Sequence, residues 1–234
     1  MSKKIPLIYI AGSSYSGSTL MDLILGSHPA VESLGEVKKI PFVQASISNG
    51  APAKCNCGST VAECAFWRQL LRGGRAFDEK DSQSNATLFS NALSFRGRNT
   101  ILDNSKNSGR IMMLSRSGLF DIQVLHVVRD SRAVVFSHRR KAERRTHDKS
   151  YRLYPTARNW NRLNLRLANT FERASDASYL RVKYEDVVAN PEKEIKSILE
   201  KLGLVWVPQI LQFRESPHHG IEGNRMRLGG SQEI

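Results

Sequence analysis

The stretch Tyr9–Leu23, "YIAGSSYSGSTLMDL", decides how this chain is read. It runs from an apolar strand through a loop of small residues into the opening of a helix. The spacing Gly12–x₄–Gly17–x–Thr19 is that of a phosphate-binding loop, G-x-x-x-x-G-K-[ST], yet Ser18 stands where the lysine belongs. Backbone N–H groups and a helix N-terminus hold an anion without side-chain charge, and Ser13, Ser14, Ser16, Ser18 and Thr19 add hydroxyl donors. Such a loop suits a phosphate that is held better than one that is transferred with Mg²⁺, which calls for a lysine and a metal-binding acid.

Outward from the loop, short apolar runs alternate with helical patterns, the signature of a parallel sheet covered on both faces. The expected strands are Pro6–Ala11, Asn99–Asp103, Gln123–Val128 and Ser178–Lys183. The first helix is Ser16–Gly26 with Gly26 as its C-cap, Thr156–Arg173 reads as a long amphipathic helix, and Pro191 opens another. The fold class is therefore α/β: a single domain of 234 residues with a central parallel sheet flanked by helices. Residues 38–85 read as a Cys-containing insertion over the sheet edge, and 214–234 as a C-terminal loop.

The net charge of +13 favours anionic partners. Much of the excess sits in His138–Arg152, where seven lysines and arginines face only Glu143 and Asp148. No nucleic-acid motif accompanies this basic helix, so nucleic acid is not assigned as a partner. No run is long and apolar enough for a transmembrane helix, and the apolar N-terminal stretch reads as the first core strand rather than a signal peptide. Three cysteines give no disulfide framework and point to a reducing, cytoplasmic setting. Cys55, Cys57 and Cys64 could bind Zn²⁺ with a fourth ligand. However, C-x-C-x₆-C is not a standard zinc spacing and no nearby histidine completes it, so no metal is assigned; a Cys–Cys bridge or free thiols are the alternatives.

A second anion site lies in Leu125–Arg140, "LHVVRDSRAVVFSHRR". A buried strand delivers Arg129 at its C-terminal end, Asp130 or Ser131 caps the next helix, and Ser137 follows two turns on. A guanidinium fork with a serine hydroxyl suits a phosphate. Two such sites point to a nucleotide with phosphates at both its 5′ and 3′ ends.

"GSSYSGSTLMDLILGSHP", "LGE", "LDNSKNSGR", "VVRDSRAVVFSHR", "VKYEDVVANPEKEI" and "GNRMR" then resemble, in order and rough spacing, the sulfotransferases that use 3′-phosphoadenosine 5′-phosphosulfate (PAPS). The resemblance is to bacterial members and to the protein-tyrosine and carbohydrate branch, and runs from Pro6 to about Arg227. It implies metal-independent, in-line transfer of a sulfuryl group to a hydroxyl or amine, leaving adenosine 3′,5′-bisphosphate. By resemblance, Glu36 is the base and Lys106 the cation on the transferring group. Arg129 and Ser137 take the 3′-phosphate, Tyr184 lies near the adenine or that phosphate, and Arg227 closes from the C-terminal loop. The loop Ser14–Thr19 takes the 5′ side, with Tyr15 where the family usually carries a basic residue. His28 and His126 are the alternative bases. A glycan, a lipid, a peptide tyrosine or a small molecule all fit as the hydroxylated acceptor. Two rivals use the same residues: a P-loop nucleotide or sugar kinase, and a catalytically inactive homologue that binds nucleotide or polyanion.

Overall fold

The computed structural model describes residues 3–71, 76–146, 152–171, 178–221 and 225–228. Its centre is a parallel five-stranded sheet in the order β2-β3-β1-β4-β5. The strands are β1 (Ile5–Gly12), β2 (Val31–Gly35), β3 (Thr100–Asp103), β4 (Phe120–Val128) and β5 (Ser178–Lys183). From β1 the chain moves one way to β2 and β3 and the other way to β4 and β5. Its first strand is thus the centre of the sheet and the switch point of the topology.

β1 shows why the sheet is buried on both sides. Leu7, Tyr9 and Ala11 enter one core cluster while Ile8 and Ile10 enter the other. The first cluster lies against α2 (Ile40–Ser48), α3 (Ala65–Leu70), α4 (Ser82–Arg96), α5 (Ser108–Arg116) and α7 (Leu153–Phe171). The second is covered by α1 (Ser18–Gly26), α8 (Tyr184–Ala189) and α9 (Pro191–Lys201). Each fully buried leucine or isoleucine contributes about 1.5–3 kcal/mol, so a strand with no solvated face is the stable use of these residues.

β2 was not among the expected strands. Its sequence, VESLG, carries Glu32 and Ser33, yet all five residues are buried. Glu32 pairs with Arg96 and Arg98, each at 3.3 Å, and Ser33 donates to Asp22 at 2.5 Å. Polar residues form a buried strand here because distant partners satisfy them. Gly26 also differs from its expected role. It lies inside α1, with Ser27 as the C-cap, and a Cβ on it would come 2.9 Å from that of Ser33. It is a contact glycine, not a turn glycine.

Residues 38–85 carry α2, α3 and the start of α4, and bury Val43, Val61, Phe66 and Trp67 in the first cluster. The basic segment continues β4 as α6 (Ser131–Thr146), with Asp130 Oδ1 accepting from Arg132 N–H at 2.8 Å as its cap. Residues 147–151, Arg173, Gly223 and Asn224 of the expected elements lie outside the described residues. Among the described residues, no helix is long and apolar enough to cross a membrane.

Candidate functional site

Because the sheet is parallel, all five strands end on one edge, and each places a candidate residue just beyond its last position. Glu36 follows β2, Lys106 comes three residues after β3, the loop 12–19 follows β1, Arg129 follows β4, and Tyr184 follows β5. Read across the sheet, the order is Glu36, Lys106, loop, Arg129, Tyr184. The two residues assigned to chemistry therefore lie on one side of the loop, and two of those assigned to nucleotide on the other.

The loop is built by backbone conformation. Gly17 caps α1 in the left-handed region at φ 92°, and a Cβ there would sit 2.1 Å from the Tyr184 ring. Tyr184 in turn stacks under the guanidinium of Arg129, 4.5 Å from its ring centroid. Arg129 Nη1 donates to the carbonyl of Tyr15 at 3.2 Å. The hydroxyl oxygens of Ser13 and Ser16 and Nε of Arg129 are buried and have no hydrogen-bond partner among the described residues. Buried donors without partners cost about 1–3 kcal/mol each. Three of them gathered at one anion-type loop are what a phosphate-bearing ligand would satisfy. Ser18 is buried at the start of α1, Thr19 is half-buried and Ser14 is exposed.

Two non-glycine residues have a left-handed backbone among the described residues: Tyr15 at φ 66° and Lys106 at φ 59°. Strain of this kind costs about 1–3 kcal/mol and gathers at functional sites. Both residues were singled out from the sequence. The Tyr15 ring meets His138 edge-on at 4.7 Å and has Lys141 Nζ 5.9 Å from its centroid, so the basic helix α6 lies against the cation-free loop. Burial, aided by the Lys141 charge, holds His138 below the usual histidine value.

On the other side, Lys106 Nζ lies 2.7 Å from Glu36 Oε1. Glu36 N–H donates to Ile221 O at 3.0 Å, which fixes its backbone. The backbone just after Lys106 is fixed by the buried Tyr9 hydroxyl, which donates to Asn107 O and accepts from Asn107 N–H, each at 3.0 Å. Behind the pair, buried Asp22 accepts from Ser33 and from Asn104 Nδ2 at 3.3 Å. Burial raises its carboxyl to about 6, against the pull of those two hydrogen bonds. Sequence reasoning missed Asp22, although an acid inside the apolar run "LMDLIL" was a visible signal. It also missed Lys38, whose N–H donates to Ser105 Oγ at 3.0 Å. Burial holds the Lys38 ammonium below the usual lysine value, against the opposing pull of Glu36. It is a second cation beside the pair.

The alternative bases are both engaged. His28 Nε2 donates to Val205 O at 2.8 Å while Nδ1 accepts from Ala30 N–H at 3.1 Å. His126 has Nδ1 2.6 Å from Tyr179 Oη and Nε2 2.8 Å from Asn164 Oδ1. Ser137 donates to Ala133 O at 2.9 Å within α6. Arg227 reaches the cysteine turn: Nη1 donates to Lys54 O at 3.2 Å and Asn56 Oδ1 at 2.6 Å. The cysteines gain the histidine that their sequence neighbourhood lacks. His219 brings its ring against Cys55, Cys57 and Cys64.

The family model described as "Sulfotransferase family" matches residues 6–208. The chain belongs to the sulfotransferase family. It is 28% identical over 224 residues to protein-tyrosine sulfotransferase 1 of Danio rerio, covering 92% of this chain and 58% of that protein. It thus spans little more than half the length of that relative. Among solved structures, the sulfotransferase domain from the curacin biosynthetic pathway superposes with a TM-score of 0.60 at 18% identity, covering 99% of this chain and 82% of that one. Mouse sulfotransferase SULT7A1 complexed with PAP superposes with a TM-score of 0.51 at 9% identity, covering 100% of this chain and 76% of that one. These likenesses place the fold among the sulfotransferases.

Proposed function

We propose that this protein transfers a sulfuryl group from PAPS to a hydroxyl or amine acceptor by in-line displacement. The observation that carries the reading is the order of groups along the sheet edge: a carboxylate–ammonium pair, an anion loop with unpartnered buried donors, then an arginine stacked on a tyrosine. When bound, PAPS supplies the sulfuryl group and a phosphate leaving group, so no lysine-gripped terminal phosphate and no Mg²⁺ are required of the loop. The loop Ser14–Thr19 holds the 5′ side through backbone N–H and hydroxyl groups. Arg129 and Ser137 hold the 3′-phosphate, and Tyr184 supports Arg129 from below. Arg227 would first have to exchange its present partners to reach the nucleotide.

Glu36 accepts the proton of the acceptor, and Lys106 donates to oxygens that gain charge in the transition state. Each group now holds the other, and each exchanges that partner for substrate during turnover. Lys38 supplies the positive charge that Tyr15 cannot. The acceptor approaches over β2 and β3, because β4 and β5 carry the residues assigned to nucleotide.

Calorimetric titration with adenosine 3′,5′-bisphosphate and, separately, with Mg·ATP tests this. Micromolar binding of the bisphosphate is expected, weakened at least about tenfold by Arg129→Ala through loss of a charge-assisted contact. Tighter binding of Mg·ATP would favour a kinase. Bisphosphate binding without sulfation of any acceptor in a broad panel would favour the inactive homologue.

A further inference from the structure

We propose that Cys55, Cys57, Cys64 and His219 form a structural Zn²⁺ site that clamps the cysteine turn to the C-terminal segment. The four ligand atoms all lie within 4.8 Å of one another. Cys57 Sγ is 3.8 Å from Cys64 Sγ, and His219 Nδ1 is 3.4 Å from Cys64 Sγ and 3.8 Å from Cys55 Sγ. A tetrahedral zinc with bonds of about 2.3 Å to sulfur and about 2.0–2.1 Å to nitrogen separates its ligand atoms by about 3.5–3.8 Å. These three separations lie within a few tenths of an ångström of that tetrahedron, and the remaining pairs lie within 4.8 Å.

The frame around the ligands has the rigidity a closed site needs. Cys55 N–H donates to Ser59 O at 3.0 Å, Gly58 N–H donates to Cys55 O at 3.1 Å, and Gly58 takes φ 92°. This tight turn presents Cys55 and Cys57 to the same side. The residues after Cys64 hold the fourth ligand. Phe66 stacks on the His219 ring at 4.9 Å and 20°, and Trp67 Nε1 donates to His219 O at 2.5 Å. Phe66 packs on the ring and Trp67 anchors the His219 backbone, so the imidazole is held beside the thiols. A disulfide is the weaker account: it would join two of the four groups and leave the other two facing each other without purpose.

The clamp has a mechanical consequence. His219 leads into Ile221, whose carbonyl accepts from Glu36 N–H and whose N–H donates to Leu34 O at 3.3 Å. Asn56 N–H donates to Gly220 O at 3.1 Å, tying the cysteine turn to the same segment. The ion takes no part in chemistry; it fixes the backbone on which Glu36 stands. The site stands whether or not the sulfuryl-transfer reading does.

The test is the metal content of the full chain, purified from zinc-supplemented cells without a nickel column and under reducing conditions. About one zinc per chain is expected. Cys57→Ser and His219→Ala should each weaken zinc binding by more than the about 10–100-fold that loss of an outer-shell partner costs. Should those variants fail to fold, Co²⁺ added to metal-free wild type should give thiolate charge-transfer bands and tetrahedral d–d absorption. Wild type that binds no zinc and gives no such bands overturns the proposal, as does zinc retained unchanged in both variants. A Cys57–Cys64 disulfide found in intact mass after reducing purification overturns it too.

Discussion

Lys106 Nζ and Glu36 Oε1 are 2.7 Å apart, and the pair joins the ends of adjacent strands β2 and β3 while Lys106 holds a left-handed backbone at φ 59°. The two side chains are nearly buried, with 12% and 13% of their surface exposed. Glu36→Gln keeps the shape and removes the basicity. It should lower kcat by about 10²–10⁴-fold with bisphosphate affinity unchanged in a calorimetric titration. Lys106→Ala should lower kcat by about 10²–10³-fold. Equal losses of affinity and turnover in both variants would mean that the pair merely shapes the pocket.

Gly17 and Tyr184 form a second relationship that a substitution can probe. Gly17→Ala places a methyl group into the Tyr184 ring at a backbone angle that only glycine adopts readily. A stability loss of at least about 1–3 kcal/mol is expected in denaturant titration, together with weakened bisphosphate binding. Tyr184→Ala should weaken bisphosphate binding, since Arg129 loses its stacking surface, and should also cost stability because the ring packs against the second core cluster.

Asp22 gives stability a pH dependence of defined sign. Its carboxyl ordinarily ionises near 3.8 and in the folded chain near 6. Between those values the folded state holds a proton that the unfolded state has released, so stability falls as pH rises through that window. The full difference is on the order of 3 kcal/mol. Chemical denaturation of wild type and Asp22→Asn at pH 4, 5, 6 and 7 should show the variant gaining on wild type with each step. A constant gap across that range would exclude a raised Asp22 as the cause.

Arg110 makes the opposite case of a charge that must be kept. Its Nε lies 2.9 Å from Asp103 Oδ2, with both side chains almost wholly buried, and it also bonds Asn85 and Glu79 O. Arg110→Ala leaves Asp103 buried and unpaired, and should cost about 3–5 kcal/mol by denaturant titration. The pair joins β3 to α4 through α5, so the loss should also loosen the turn that carries Lys106.

Where local pattern and tertiary need agreed, the sequence was enough. β5 has the bounds read from its apolar run, Pro191 opens α9, and the small-residue loop sits between β1 and α1. β2 was hidden because Glu32 and Ser33 look like surface residues until Arg96, Arg98 and Asp22 are folded onto them. His219 was hidden for the same reason: it is 155 residues from Cys64 in the chain. Gly26 was read as punctuation, although what matters is how closely Ser33 approaches it. The failures share one cause, a property set by a partner far away in sequence.

Ile221 forms β-bridges with both Gly35 and Cys55. During synthesis, β2 leaves the ribosome well before this bridging residue does. A nascent chain therefore carries an unprotected sheet edge, the kind of surface that pairs with neighbouring chains. Glu36 meanwhile has no carbonyl to hold its backbone. The β2 side of the site is translated early and assembled late, so termination before Ile221 would leave Glu36 paired with Lys106 but without the carbonyl that holds its backbone.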